Sequence, residues 1–326
     1  MINLMQKIQQ FWFLLGLVLV FMAVIIDRTD TLAGIGIFFK DNYASEIIIF
    51  LIFTVSGLLI EKDQIKAGIR DIKSTLLSLM VILIISPVAV LLFSCLPLET
   101  GVVIGLFLVA VMPTTLSSGV VMTGTAGGNM AHALFLTITS NFIGIFSIPI
   151  ILSWLLLFLD QSKNLVIDQG AMIIKLTFLV LVPLTMGIYI KSFVFKIIYA
   201  DKSRLQIVNQ CMVISMVFIS IAGAKQVLMG KGIVILYIVI LVTAFHLILL
   251  GSSLFLVKIF SITKGSYESV IFMGSQKTLP LSIMIQVNYF SEFGIALLVC
   301  VMHHIVHLMI DGYLSAKIGE GSLGKN

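Results

Sequence analysis

The chain has 326 residues, of which 60% are hydrophobic and only 11% charged, and its mean hydropathy is +1.17. A soluble domain is about half apolar and a quarter charged, so a water-facing globule is excluded and the lipid bilayer is the expected solvent. The net charge of +5 does not indicate nucleic acid, because the basic residues lie in short loops between apolar runs, where they orient a membrane protein.

The first apolar run, FWFLLGLVLVFMAVII, has no small-residue cleavage site after it and leads into further runs, so it reads as a membrane span and not a signal peptide. In all, ten runs occur at 10–26, 44–60, 74–95, 101–125, 129–158, 170–190, 207–224, 232–260, 267–290 and 292–314. Barrel strands need only about 10 alternating residues, so these are helices. Between the second and third runs, EKDQIKAGIRDIK reads as a solvated cytoplasmic loop with helical character. With the N-terminus inside, thirteen Lys and Arg fall in interior segments and five in exterior loops, with Lys175 and Lys277 inside spans. That asymmetry places both termini in the cytoplasm. Cys95, Cys211 and Cys300 are far apart and suggest no disulfide framework.

Ten spans divide into two sets of five, residues 1–158 and 159–314, followed by a cytoplasmic tail 315–326 whose end, GEGSLGKN, reads as disordered. The sixth span then begins outside where the first began inside, which is the arithmetic of an inverted repeat. The fourth and ninth spans strengthen it. The fourth is interrupted at Pro113-Thr114-Thr115-Leu116-Ser117-Ser118-Gly119, and the ninth at Gly274-Ser275-Gln276-Lys277-Thr278-Leu279-Pro280. Pro removes a backbone donor, and Ser, Thr and Gly offer alternatives to helical hydrogen bonding. Unwound backbone survives at bilayer depth only where it is buried in protein or lines a cavity. If the two spans cross, helix N-termini near Gly119 and Leu279 can receive an anion, and carbonyl ends near Met112 and Gly274 can hold a cation.

SSGVVMTGTAGGNMAHALFLTITS followed by GSQKTLPLSIMIQV resembles the bile acid:sodium symporter family (solute carrier family 10-like). The likeness is greatest to the branch of its vertebrate seventh member and bacterial homologues. The matching features are the Gly127-Gly128-Asn129 corner, the Lys277-Thr278-Leu279 core and a mid-helix His303. The resemblance implies ten transmembrane helices in two inverted five-helix repeats, with spans 4 and 9 broken and crossed. It also implies a panel of spans 1, 2, 6 and 7 facing a core of the rest, and a bacterial inner (plasma) membrane. It further implies transport of small organic anions by alternating access. For the branch it implies, as an alternative, a membrane regulator of calcium entry. The family's sodium ligands are poorly matched. Gly119 and Val120 stand at its Ser-Asn pair, Ala133 replaces a hydroxyl while Thr137 remains, and Phe272 stands where a Glu is expected before the retained Gln276. Sodium sites are therefore expected to be absent or weakened.

Lys277 is the departure that matters most. It lies some 16 Å of helix from either end of its span at 1.5 Å per residue, beyond the roughly 6 Å reach of a lysine stem. An intramembrane ionisable residue is a functional candidate by default. Its ammonium is expected to take the place of a coupling cation, held by carbonyls of the broken helices, by Gln276 and by hydroxyls of Thr114, Thr115, Ser117 and Ser118. It could then attract an anion permanently, or carry a proton in each cycle. Gly119, Thr123, Asn129, Thr137, Ser275 and Thr278 complete the expected crossover, with Asn141, His303 and His307 as cavity-facing candidates.

The last run offers a different chemistry. His303, His307 and Asp311 recur at four-residue spacing and share one helix face, where they could hold a divalent metal. No H-E-x-x-H pattern or second ligand cluster accompanies them. His132 and His246 read as isolated packed residues. There is no phosphate-binding loop, so neither ATP drive, enzymatic activity nor a cofactor is expected.

Overall fold

The computed structural model describes residues 4–60, 71–115, 117–159, 165, 167–199, 202–229 and 232–323, and every regular element among them is helical. Helix α1 (Leu4–Ile26) turns by 113° into α2 (Thr31–Asp41). Asp27 makes that bend. Its carboxylate accepts the Thr29 amide (3.0 Å), the Thr29 hydroxyl (2.6 Å) and the Leu32 amide (2.9 Å), while Asp30 adopts a left-handed conformation at φ 57°. The α2 segment lies between the first two apolar runs, where an exterior loop is expected. It is instead a helix that packs on α9.

After α3 (Ala44–Leu59) comes α4 (Ile72–Ser94), whose centre, Val81–Ile85, is a π turn. There the Ser86 amide reaches back to the Val81 carbonyl. The next amide in that register would reach Ile82, but residue 87 is proline and has no N–H. The Ile82 carbonyl is thereby released inside the protein. Helices α5 (Thr100–Val111) and α6 (Ser118–Thr125) are the two halves of the fourth apolar run, followed by α7 (Met130–Leu156). Helix α8 runs from Gln169 to Tyr199 through a second π turn at Thr177–Leu181, and α9 (Lys202–Leu228) and α10 (Gly232–Ile259) are continuous. The ninth run is split into α11 (Tyr267–Ser275) and α12 (Leu279–Tyr289), and α13 (Gly294–Leu323) closes the chain. Helix α13 continues to Leu323, into the tail expected to be disordered, where Gly319 lies against the Thr125 carbonyl with no room for a Cβ.

Among the described residues six helices are long and apolar enough to cross a membrane, or seven if the bent α1–α2 pair is one span. The count falls short of ten because α3 is short and the split runs yield pieces below the roughly 20 residues a crossing needs. The chain is an integral membrane protein. Helices α1, α2, α3, α8 and α9 pack together; α4–α7 and α10–α13 form a second group, and the groups meet chiefly where α7 touches α8, where α9 touches α12 and α13 and where α3 touches α12. In the first group α3 and α8 approach with Gly57 against Gly187, where a Cβ on either would come 3.0 Å from the other's Cα; small residues allow such backbone contact in membranes. In the second group α13 is central, with 83% of its spanning window buried against 33–50% for the other spanning helices. The three cysteines are free.

Candidate functional site

The two breaks meet. Met112 precedes Pro113, whose ring disfavours helical conformation in the residue before it, and Met112 is extended at φ −69°, ψ 143°. Gln276 and Thr278 are extended in the same way, and Pro280 sits in the first turn of α12, where a missing N–H does no harm. The Thr278 amide donates to the Pro113 carbonyl at 2.9 Å, a backbone bond directly between the breaks.

Lys277 is 2% exposed. Its ammonium donates to the carbonyls of Ile82 (3.2 Å), Ala110 (3.1 Å) and Met112 (3.0 Å). Three donors meet three acceptors, so the group is saturated. Two acceptors belong to the open C-terminal end of α5, where free carbonyls and the helix dipole favour a cation. The third is the carbonyl released by Pro87. Among the described residues no carboxylate pairs with Lys277.

Gln276 and the hydroxyls do not hold this ammonium, contrary to the sequence expectation, because they face the other side of the crossing. The Gln276 Oε1 accepts from Thr115 Oγ1 (2.8 Å) and Ser118 Oγ (3.1 Å), and its Nε2 donates to Asp311 Oδ2 at 2.9 Å. Thr115 Oγ1 also accepts the Gly119 amide at 2.9 Å and so caps the start of α6. A Cβ at Gly119 would come 2.6 Å from Met273 Sδ, 3.0 Å from Thr115 Oγ1 and 3.1 Å from Gln276 Oε1, so any larger residue would displace these side chains. Thr137 Oγ1 reaches the Thr115 carbonyl at 3.1 Å, and Asn141 Nδ2 donates to the Thr137 carbonyl at 2.8 Å. Among the described residues the buried Thr114 hydroxyl has no partner.

Other expected site residues lie outside this knot. Thr123 and Ser275 bond within their own helices, to the Gly119 and Ile271 carbonyls. Asn129 is exposed and caps α7 through the amides of Ala131 and His132. The histidine face does not assemble as a metal site. Asp311 is taken by His246 (3.0 Å) and Gln276, and His307 Nε2 bonds His304 Nδ1 at 2.8 Å. No group of three or more potential metal ligands converges among the described residues. His303 stacks among His246 and His307 with ring centroids 5.8 and 5.4 Å away. Neither remaining histidine is isolated: His246 joins this cluster, and His132 bridges Ser269 (2.6 Å) and Thr75 (3.0 Å).

Two cavities lie against the crossing, between the two helix groups. One, of about 50 Å³, is lined by Thr115, Ser117, Ser118, Thr278 and His304 on one side and Ile52, Asn209 and Gln210 on the other. The second, of about 30 Å³, is lined by Ser117, Thr137 and Asn141 opposite Ser56 and Asn209. Each has room for a few waters at most, so the two groups are closed on each other. The family model for the SBF-like CPA transporter family matches residues 11–320. The chain belongs to this family. The resemblance read from the Gly127–Asn129 corner and the Lys277–Leu279 core therefore holds.

Among relatives, the chain is 31% identical over 278 residues to the probable sodium/metabolite cotransporter BASS4, chloroplastic, of Arabidopsis thaliana, covering 81% of this chain and 63% of that protein. It is 26% identical over 220 residues to sodium/bile acid cotransporter 7-A of Xenopus laevis, covering 66% and 62%. Against sodium/bile acid cotransporter 7 of Rattus norvegicus it is 23% identical over 327 residues, covering 97% and 94%. The chain thus spans a little under two thirds of the length of the first two. By name the family and these relatives are transporters, not enzymes.

Sequence reasoning missed Ile82, Asp311 as the partner of Gln276, and His246, His304 and Asn209 as neighbours of the site. Of these, Ile82 had an indirect signal in Pro87, and Asn209 had one as an amide inside an apolar run.

Proposed function

We propose that the protein is a secondary transporter that moves a small organic anion by alternating access, with Lys277 as its resident cation. One observation carries this reading: an ammonium saturated by three backbone carbonyls at the meeting point of two broken helices. In this reading the chain crosses the membrane ten times in two inverted five-helix repeats, residues 1–158 and 159–314, followed by a tail from 315. Each split run counts as one crossing. The α1–α3, α8 and α9 group is the panel and the rest is the core. The solute sits between them, and rocking of one group against the other exposes it alternately to each side. Both termini face the cytoplasm, and the membrane is a bacterial inner membrane.

A carbonyl cage is what a hard monovalent ion would seek, and here it is filled by a side chain of the same charge. Transport is therefore independent of sodium, although the relatives carry sodium in their names. The committed ammonium does not line the cavities, so an anionic group on the solute meets the positive end of the α6 dipole, not Lys277.

Thermal unfolding of the purified protein in NaCl against choline chloride, at equal ionic strength, tests the reading. The wild type is expected to be indifferent to sodium, since a ligand stabilises only what it binds, and Lys277→Ala to be less stable or newly sodium-responsive. A clear sodium stabilisation of the wild type would return the chain to ordinary sodium symport.

A further inference from the structure

Two amides line the cavity between α7 and α9, one from each helix group. Asn141 Nδ2 donates to the Thr137 carbonyl at 2.8 Å and faces the Thr114 carbonyl at 3.5 Å. Both neighbours only accept, so the amide nitrogen must face them and the oxygen must face away. Asn209 Nδ2 donates to Ser56 Oγ at 3.1 Å, and that hydroxyl has already committed its proton to the Ile52 carbonyl at 2.7 Å. Ser56 can therefore only accept, which fixes the second amide in the same sense. Among the described residues neither buried Oδ1 has a partner, and the two residues are 1% and 6% exposed.

A buried amide oxygen without a donor is destabilising. Of the three hydroxyls on the cavity wall, Ser56 and Thr137 are committed to backbone carbonyls, which leaves Ser117 for two acceptors. The wall is short of donors and rich in acceptors. Its occupant has to supply what is missing.

We propose that, when the two helix groups part to admit it, the solute bound between α7 and α9 presents hydrogen-bond donors to Asn141 and Asn209. The transported class is then organic acids that also carry a hydroxyl or an ammonium group, not simple carboxylates. This rests on the transporter reading for the word transported, but not for the binding site. Because the amides belong to opposite helix groups, one solute bonded to both also joins the groups across the cavity.

The test uses three acids of nearly equal shape, lactate, alanine and propionate, which differ in having a hydroxyl, an ammonium or neither. Each is added at millimolar concentration to the purified full chain and thermal unfolding is followed. Lactate or alanine is expected to raise the midpoint by roughly 2 °C or more, as one bound ligand does through mass action, while propionate leaves it unchanged. Which of the two responds identifies the donor as hydroxyl or ammonium. In Asn209→Leu, where an apolar side chain fills the space and removes one unpaired oxygen, the variant is expected to fold and the response to vanish. An equal response to propionate, a response that persists in Asn209→Leu, or silence from both donor-bearing acids overturns the assignment. Counterflow of the responding acid in proteoliposomes then reads transport separately: binding without counterflow keeps the site and removes the transporter reading.

Discussion

Two lysines of this protein are each only 2% exposed, and they are held in opposite ways. Lys225, in α9, lies beside the bend between α1 and α2. Its ammonium bonds Asp30 Oδ1 at 2.6 Å and the Asp27 backbone carbonyl, with the Asp27 carboxylate 3.8 Å away. Among the described residues Lys277 has no carboxylate partner, and its three partners are backbone carbonyls from two different helices. An aspartate brings its own countercharge and can face water when left alone; Asp30 is 74% exposed. Backbone carbonyls become available at bilayer depth only where helices are deformed. The Lys277 cage needs a helix end at Met112 and a proline-terminated π turn at Ile82. Two irregularities built around one cation indicate a site, whereas an aspartate at a bend indicates a tether.

The comparison is broken most directly by removing each ammonium. Lys277→Met leaves the buried Ile82 and Met112 carbonyls without donors, at about 1–3 kcal/mol for each unsatisfied group before relaxation, while the Ala110 carbonyl keeps the Ser86 hydroxyl at 2.7 Å. We expect a loss of about 2 kcal/mol or more, read from reversible unfolding in mixed detergent. A loss below about 1 kcal/mol would mean that the cage closes on itself or admits water, and the contrast with Lys225 would disappear.

The role of the π turn is sharpened by Pro87→Ala. An alanine there restores an N–H in register with the Ile82 carbonyl, which would compete with Lys277 in the wild type and substitute for it in the mutant. A double-mutant cycle should therefore give a favourable coupling of about 1 kcal/mol between Pro87→Ala and Lys277→Met, because residues sharing a partner are not additive. Strict additivity would show that the Ile82 carbonyl is free for reasons other than proline.

How much of this was legible depended on whether a feature has a side-chain signature. The breaks were legible because Pro113, Pro280 and their hydroxyl-rich neighbours stand out in apolar runs, and a lone charge at Lys277 is conspicuous at such depth. The partners of that charge were not, since a backbone carbonyl looks the same at every position and only Pro87 marks Ile82. Gln276 is bonded to Thr115, Ser118 and Asp311 and not, as its sequence position suggests, to Lys277. Successive residues of an extended segment face opposite sides, so Gln276 turns to Asp311 while Lys277 turns to α5. The histidine and aspartate spacing on α13 was visible, but it is His246, 65 residues earlier, that takes Asp311, and such a pairing depends on how α10 packs on α13. Helix α2 was missed because eleven residues ending in Lys40 and Asp41 are too short for a span and read as a connection.

The smallest expected effects belong to the tether. Lys225→Met should cost about 1 kcal/mol, within the range for partly exposed ion pairs, because Asp27 and Asp30 remain near water and need no replacement. Asp30→Asn should cost less still, a few tenths of a kcal/mol, since Lys225 keeps its bond to the Asp27 carbonyl and the nearby Asp27 carboxylate. Salt separates the two lysines further. Raising ionic strength shortens the screening length from about 10 Å at 0.1 M to about 3 Å at 1 M. The penalty of Lys225→Met should shrink with salt, because part of it is attraction across an accessible edge. The penalty of Lys277→Met should not, because its partners are uncharged dipoles buried out of reach of ions. Parallel salt dependence in the two mutants would mean that water and ions reach the crossing, and that Lys277 is an exposed charge after all.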